Sequence, residues 1–195
     1  MESQYRHAST TSRYVALVAV LTAIYAAYGY VSGIALQPLT KSLDLFFLLP
    51  VFFAILVSLT GKRWSSTLLG TIIGLLFLYP TAGVPLSPHI TISLIVNGLV
   101  FDMYLRESKT SLYDLSRRQL VMAGALGNLG MAVAGLLVFQ IFGLAQPAYL
   151  WALALIGNPL VGAGGGFFGA IVVERVKGLQ TRRVLEATAS MKVRA

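Results

Sequence analysis

His89, Ser93 and Asn97 recur every four residues in an otherwise apolar stretch, and that spacing stacks them on one face of a helix. At 1.5 Å of rise per residue, Ser93 lies ~6 Å and Asn97 ~12 Å along the axis from His89. Gln140, Tyr149, Trp151 and Asn158 form a second set in the two apolar stretches that follow, with Asn158 ~13 Å beyond Tyr149. Every member is a neutral hydrogen-bonding or aromatic group. Such a set suits a flat, polar heterocycle better than an inorganic ion. Motifs for chemistry are missing: there is no HExxH, no GxSxG, no glycine-rich phosphate loop followed by lysine and no clustered Asp signature for Mg²⁺. Asp102 and Glu174 are too few for a proton relay. The expectation is therefore a binding protein and not an enzyme, with no cofactor and no metal site.

Each candidate also has a plainer role. Tyr149 and Trp151 fit an interfacial aromatic belt, and His89, beside Pro88, fits a loop or helix start. Asn158 precedes Pro159 and fits a cap on the helical break that a missing N–H creates. Asn97 fits an interhelical hydrogen bond. Asp102 is expected to pair with Arg106, four residues on, and Asn128 to serve packing.

The elements that must position these residues are six apolar stretches at 14–36, 43–60, 64–80, 90–105, 119–143 and 149–173, each close to the ~20 residues that cross hydrocarbon as a helix. The chain is 56% hydrophobic and 11% charged, with a mean hydropathy of +0.76. That composition leaves too few polar residues to cover a soluble core. Fourteen of the fifteen Lys and Arg residues fall in alternate gaps between the stretches and in the two ends, and Lys41 alone lies elsewhere. Cation-rich segments stay inside. The sequence thus predicts an all-α integral membrane protein of six transmembrane helices with both termini cytoplasmic, placed in the cell membrane. The net charge of +8 is the sum of that bias and does not point to nucleic acid, which needs basic residues mixed with aromatics on one surface. Absence of cysteine excludes disulfides and thiolate metal sites. In this topology the fourth and sixth spans run inward, so His89, Ser93, Asn97, Gln140, Tyr149, Trp151 and Asn158 converge in the outer half of the bundle.

Residues 1–13 read as a cytoplasmic polar leader before a retained signal anchor, residues 14–178 as the six-helix domain, and residues 179–195 as a basic tail. The tail reads either as a basic interfacial helix or as a solvated segment held near anionic membrane lipid. The inner loop 106–118 is amphipathic enough for a surface helix.

The first span carries Ala19, Ala23 and Ala27 at intervals of four, a strip of small side chains that lets another helix approach closely. Gly70 with Gly74, Gly162 with Gly166 and Gly165 with Gly169 form further strips expected to serve internal packing. In these features the chain resembles the substrate-binding S components of energy-coupling factor transporters, the vitamin importers of prokaryotes. Shared are the length, the six helices, the cytoplasmic ends, the AxxxA strip, and a last helix reading GNPLVGAGGGFFGAIVVERVKG before a basic tail. The resemblance covers residues 14–178 and is one of layout and loosely defined motifs. It implies that Ala19, Ala23 and Ala27 dock on the coupling helices of a T component energised by paired ATPase subunits, that the ligand is a small heteroaromatic vitamin or vitamin precursor held in the outer half, and that the loop 37–44, with Lys41 and Asp44, closes over it. The branch of the family that binds cobalt or nickel uses a histidine at position two. Here that position is Glu2, with His7 later, which speaks against a metal substrate. Two other classes share the layout: a non-transport polytopic envelope scaffold, and a small self-contained permease.

Overall fold

The computed structural model describes residues 2–35, 43–78, 88–107, 111–143 and 146–193, with side chains placed over 11–32, 43–78, 88–106, 111–143 and 146–181. Among them the structure is all-helical: α1 (Glu2–Ala35), α2 (Leu43–Thr60), α3 (Ser65–Leu76), α4 (Pro88–Glu107), α5 (Arg117–Ile141) and α6 (Ala148–Val193). Five of these contain segments long and apolar enough to cross a membrane: Thr11–Ser32, Leu43–Thr60, Pro88–Arg106, Arg117–Ile141 and Ala148–Thr181. This is the architecture of a multi-pass membrane protein.

The third apolar stretch departs from expectation. A span was expected over 64–80, but α3 has only 12 residues and rises ~18 Å, short of a ~30 Å hydrocarbon core. Residues 79–87 lie outside the described residues, as do 36–42, which hold Lys41 and most of the expected lid. At the chain's ends, α1 already begins within the polar leader, and α6 runs on as helix through the basic tail to Val193. The expected surface helix in 106–118 is absent from the described part: residues 111–116 form a turn.

Contacts place the helices in a ring of order α1, α2, α6, α5, α4, α3, with α3 returning to α1. Neighbours along the chain run antiparallel. Tyr28 and Asp44 meet at one end of the α1–α2 pair, and Lys62 lies over the Tyr14 ring at the other, 4.1 Å from its centroid. The ring brings α2 and α6 together in parallel, since Phe47 backs onto Gly165 and Val51 onto Gly169. As a result Arg13, Lys62, Arg63, Arg106, Arg117, Arg118, Arg175 and Lys177 share one end of the bundle. The helices packed most extensively are α5 and α6. There Gly124 and Gly162 face each other's carbonyls, and Gly166 faces the carbonyl of Leu120, so the glycine strips let backbones touch, as their spacing predicted. Gly70 and Gly74 do the same for α3 against Leu94 and Thr91 of α4. Phe53 and Phe101, both fully buried, pack edge to face at 5.3 Å in the centre.

At the basic end α3 starts in an unusual way. Its N-cap residue Trp64 sits at φ 63°, ψ 15° and makes no side-chain cap bond; this left-handed conformation is strained for a bulky residue. The cap comes from another helix. Asp102 of α4, 8% exposed, accepts hydrogen bonds from the Thr67 backbone N–H and hydroxyl, both at 2.8 Å. The expected Asp102–Arg106 ion pair does not form. Arg106 turns instead to the face of Trp64, 5.9 Å from its ring, because the α3 N–H groups offer the buried carboxylate closer and better-aligned donors.

Candidate functional site

A cavity of about 370 Å³ opens in the half of the bundle away from these eight cations. Six helices contribute to it: Tyr25 from α1, Leu45 and Phe46 from α2, Phe77 at the end of α3, His89 and Ser93 from α4, Met131, Gly135 and Phe139 from α5, and Asn158 from α6. Aromatic rings shape the walls. Tyr25 meets Phe77 edge to face at 6.0 Å, and the His89 imidazole lies over the Phe139 ring, 4.4 Å between centroids. Small residues make the room. Gly29 lets the Phe77 ring sit 2.6 Å from where a Cβ would stand, and Gly135 does the same for the Ser93 hydroxyl at 2.8 Å.

Of the residues that sequence reasoning assembled, His89, Ser93 and Asn158 line the cavity. Ser93 and Asn158 are each only 8% exposed. Asn97 is fully buried one layer below. Gln140 and Tyr149 are exposed, Trp151 is half-buried, and none of the three lines the cavity: α5 and α6 meet through their glycine faces, which rotates these side chains outward. Tyr25, Phe46, Phe77 and Phe139 were not anticipated. Phe46 carried a signal, since Pro50 four residues on removes its carbonyl's helical donor; the other three are indistinguishable from membrane-facing aromatics in the sequence.

Beneath the cavity a polar network joins four helices. Pro50 lacks an N–H, so the Phe46 carbonyl of α2 has no helical partner. Asn128 of α5 supplies one: its Nδ2 donates to Phe46 O at 3.0 Å and to Asn158 O at 3.2 Å. With both amide hydrogens committed to carbonyls, Asn128 can only accept at Oδ1. It does so from Asn97 Nδ2 at 2.8 Å. Asn97 Nδ2 also points at Met131 Sδ, 3.4 Å away in the cavity floor. Asn97 Oδ1 is left buried without a partner, against Gly127. The amide orientations thus follow from one missing N–H on α2. Above Pro50, Tyr25 donates to Leu45 O at 3.3 Å, and Tyr28 and Ser32 both donate to Asp44 Oδ2. The start of α2 is therefore held by side chains of α1 and α5.

On the far side of α1, Ala19, Ala23 and Ala27 are all exposed, flanked by Val15, Val20, Ile24 and Val31, each at least half exposed. Ala19 and Ala23 border an apolar groove of about 610 Å³ between α1 and α3. Thr22 faces the same groove with its Oγ1 buried and unpartnered. Among the described residues no group of three His, Cys, Asp or Glu side chains could hold a metal ion. No protein-family model, curated protein or solved structure matches the chain.

Proposed function

We propose that this chain is the ligand-binding subunit of an ATP-driven micronutrient importer of the energy-coupling factor type, set in the cell membrane with its basic end and both termini in the cytoplasm and its cavity toward the outside. The orientation rests on the cation bias, since the basic end carries the residues that resist translocation. The observation that carries the reading is the two-sided use of α1. Tyr25 on one face lines the cavity, while Ala19, Ala23 and Ala27 stand exposed on the other. One helix thus touches both a ligand and whatever docks on the alanine face. The groove beside that face, with an unpaired Thr22 hydroxyl, favours a helix as the docked element, because a close-packed helix there buries the groove and gives the hydroxyl a partner. The partner is a T component with paired ATPase subunits on other chains, since the sequence has no phosphate loop of its own.

The test is replacement of Ala19, Ala23 and Ala27 together by leucine. These positions are exposed, so the bundle is expected to stay folded and to keep its ligand, while uptake and co-purification with the T component are lost. Undiminished co-purification sinks the proposal.

A further inference from the structure

The cavity chemistry goes one step further, to the class of ligand. Three polar side chains face the cavity with hydrogen-bonding capacity that no described residue uses: the Ser93 hydroxyl, the His89 imidazole nitrogens and the Asn158 side-chain amide. Two of them are more than nine-tenths buried. Their polar atoms open into the cavity, where a bound molecule can pair them. By contrast, the Tyr25 hydroxyl is committed to Leu45 O, the Asn128 amide is fully used by two carbonyls and Asn97 Nδ2, and the unpartnered Asn97 Oδ1 lies below the cavity against Gly127.

The charge inventory is equally one-sided. Among the described residues no Asp, Glu, Lys or Arg lines the cavity. Asp44, the nearest acid in the chain to its Leu45 wall, already accepts from Tyr28 and Ser32. Most of the lining is apolar, and Phe46, Phe77 and the adjacent His89 and Phe139 put aromatic rings in its wall. The volume is near the small end of the ~300–1,000 Å³ range of small-molecule sites.

From this geometry we infer that the cavity takes an uncharged, planar ring compound, without phosphate, carboxylate or fixed positive charge, whose ring lies against the Phe and His faces and whose edge exchanges hydrogen bonds with His89, Ser93 and Asn158. The edge pattern is mixed. Neutral imidazole brings one donor and one acceptor, serine one donor and its lone pairs, and the amide two donors and one acceptor. A ring edge that alternates carbonyl and N–H groups answers this set; a hydrocarbon leaves it unpaired. A charged ligand meets no counter-ion among the described residues, and burying its charge unpaired in an apolar site costs enough to weaken binding about 100-fold. The inference rests on the importer reading only in treating the cavity as a ligand site.

The test uses the full chain in lipid nanodiscs and two sets of probes that share a ring system and differ in charge and one substituent: nicotinamide, nicotinate and 1-methylnicotinamide, and riboflavin with flavin mononucleotide. Binding is read by saturation-transfer NMR and by thermal shift at millimolar probe. At least one uncharged member is expected to bind, with its charged counterparts about 100-fold weaker. Ser93→Ala and His89→Phe, the second keeping a ring over Phe139, are each expected to weaken that binding about 5–10-fold without moving the ligand-free unfolding temperature. Charged members binding as well as uncharged ones overturn the inference. So does failure of both uncharged probes, or binding indifferent to both substitutions, which would mark a cavity filled by lipid chains. The outcomes are separable from the importer proposal: a protein that takes the uncharged probe yet never retains a T component keeps this inference and loses that one.

Discussion

Replacing Asn128 with leucine, similar in size and branched at the same carbon, removes three hydrogen bonds at once: to Phe46 O, to Asn158 O and from Asn97 Nδ2. Interhelical hydrogen bonds in membranes average ~0.6 kcal/mol and reach ~1.7, so the substitution should destabilise the bundle by about 2–5 kcal/mol. The informative measurement is the cycle with Pro50→Ala. Alanine keeps the Cβ that packs 3.2 Å from the Cβ position of Gly124 and 3.3 Å from that of Gly165, and it restores the backbone N–H that the Phe46 carbonyl lacks. In the wild-type background this new donor competes with Asn128 for one carbonyl and gains little. In the Asn128→Leu background it satisfies an orphaned group, so Pro50→Ala should recover about 1 kcal/mol more there than alone. Reversible unfolding in mixed detergent and SDS micelles, followed by circular dichroism, measures all four corners. If the two changes add within ~0.3 kcal/mol, Asn128 does not stand in for the missing N–H, and the argument from Pro50 to the amide network is wrong.

Asp102→Ala should cost about 1–2 kcal/mol by removing the cap of α3, whereas Arg106→Ala should cost under ~0.5 kcal/mol; the same unfolding assay separates them, and equal losses would restore the ion pair as the role of Asp102. Gly166→Val drives a side chain into the Leu120 carbonyl and should destabilise by about 3 kcal/mol, seen as a lowered unfolding midpoint or loss of monodisperse protein. The Arg117–Glu174 bridge, 2.9 Å long but with side chains 47% and 57% exposed, should contribute no more than ~1 kcal/mol, so Glu174→Gln should leave the midpoint nearly unchanged at any salt concentration.

The long apolar helices and the segregation of cations were legible in the sequence because both follow from composition along the chain. The short α3 was not. Its apolar stretch continues through Phe77 and Leu78, but the helix has already ended in a turn at Phe77, which hydropathy does not register. The face of α4 that carries His89 and Ser93 was legible too, since a spacing of four fixes a face. Which helix that face would meet was not. Helix periodicity leaves each neighbour free to rotate, and the rotation of α5 and α6 is set by glycine contacts between residues over 30 positions apart, such as Gly124 with Gly162. That rotation sends Gln140 and Tyr149 outward and brings Phe139 in. Asp102 was misread for a related reason: the partner four residues away is visible in a sequence, while the Thr67 N–H, 35 residues away, is not.

The circular order of the helices has a consequence for how the protein is made. A chain emerging into the membrane delivers α1, α2 and α3 first, and α2 then waits for α6. Phe47, Pro50, Val51 and Ala54 pack on Gly165 and Gly169, more than 110 residues downstream, and Asn128 reaches its Asn158 acceptor only when α6 is in place. Until then the side of α2 that packs on Gly165 and Gly169 is uncovered, and Asn128 has only one of its two carbonyl acceptors. Helix α6 therefore slots between α2 and α5, elements inserted before it, closes the circle and brings the Asn158 carbonyl to the network beneath the cavity.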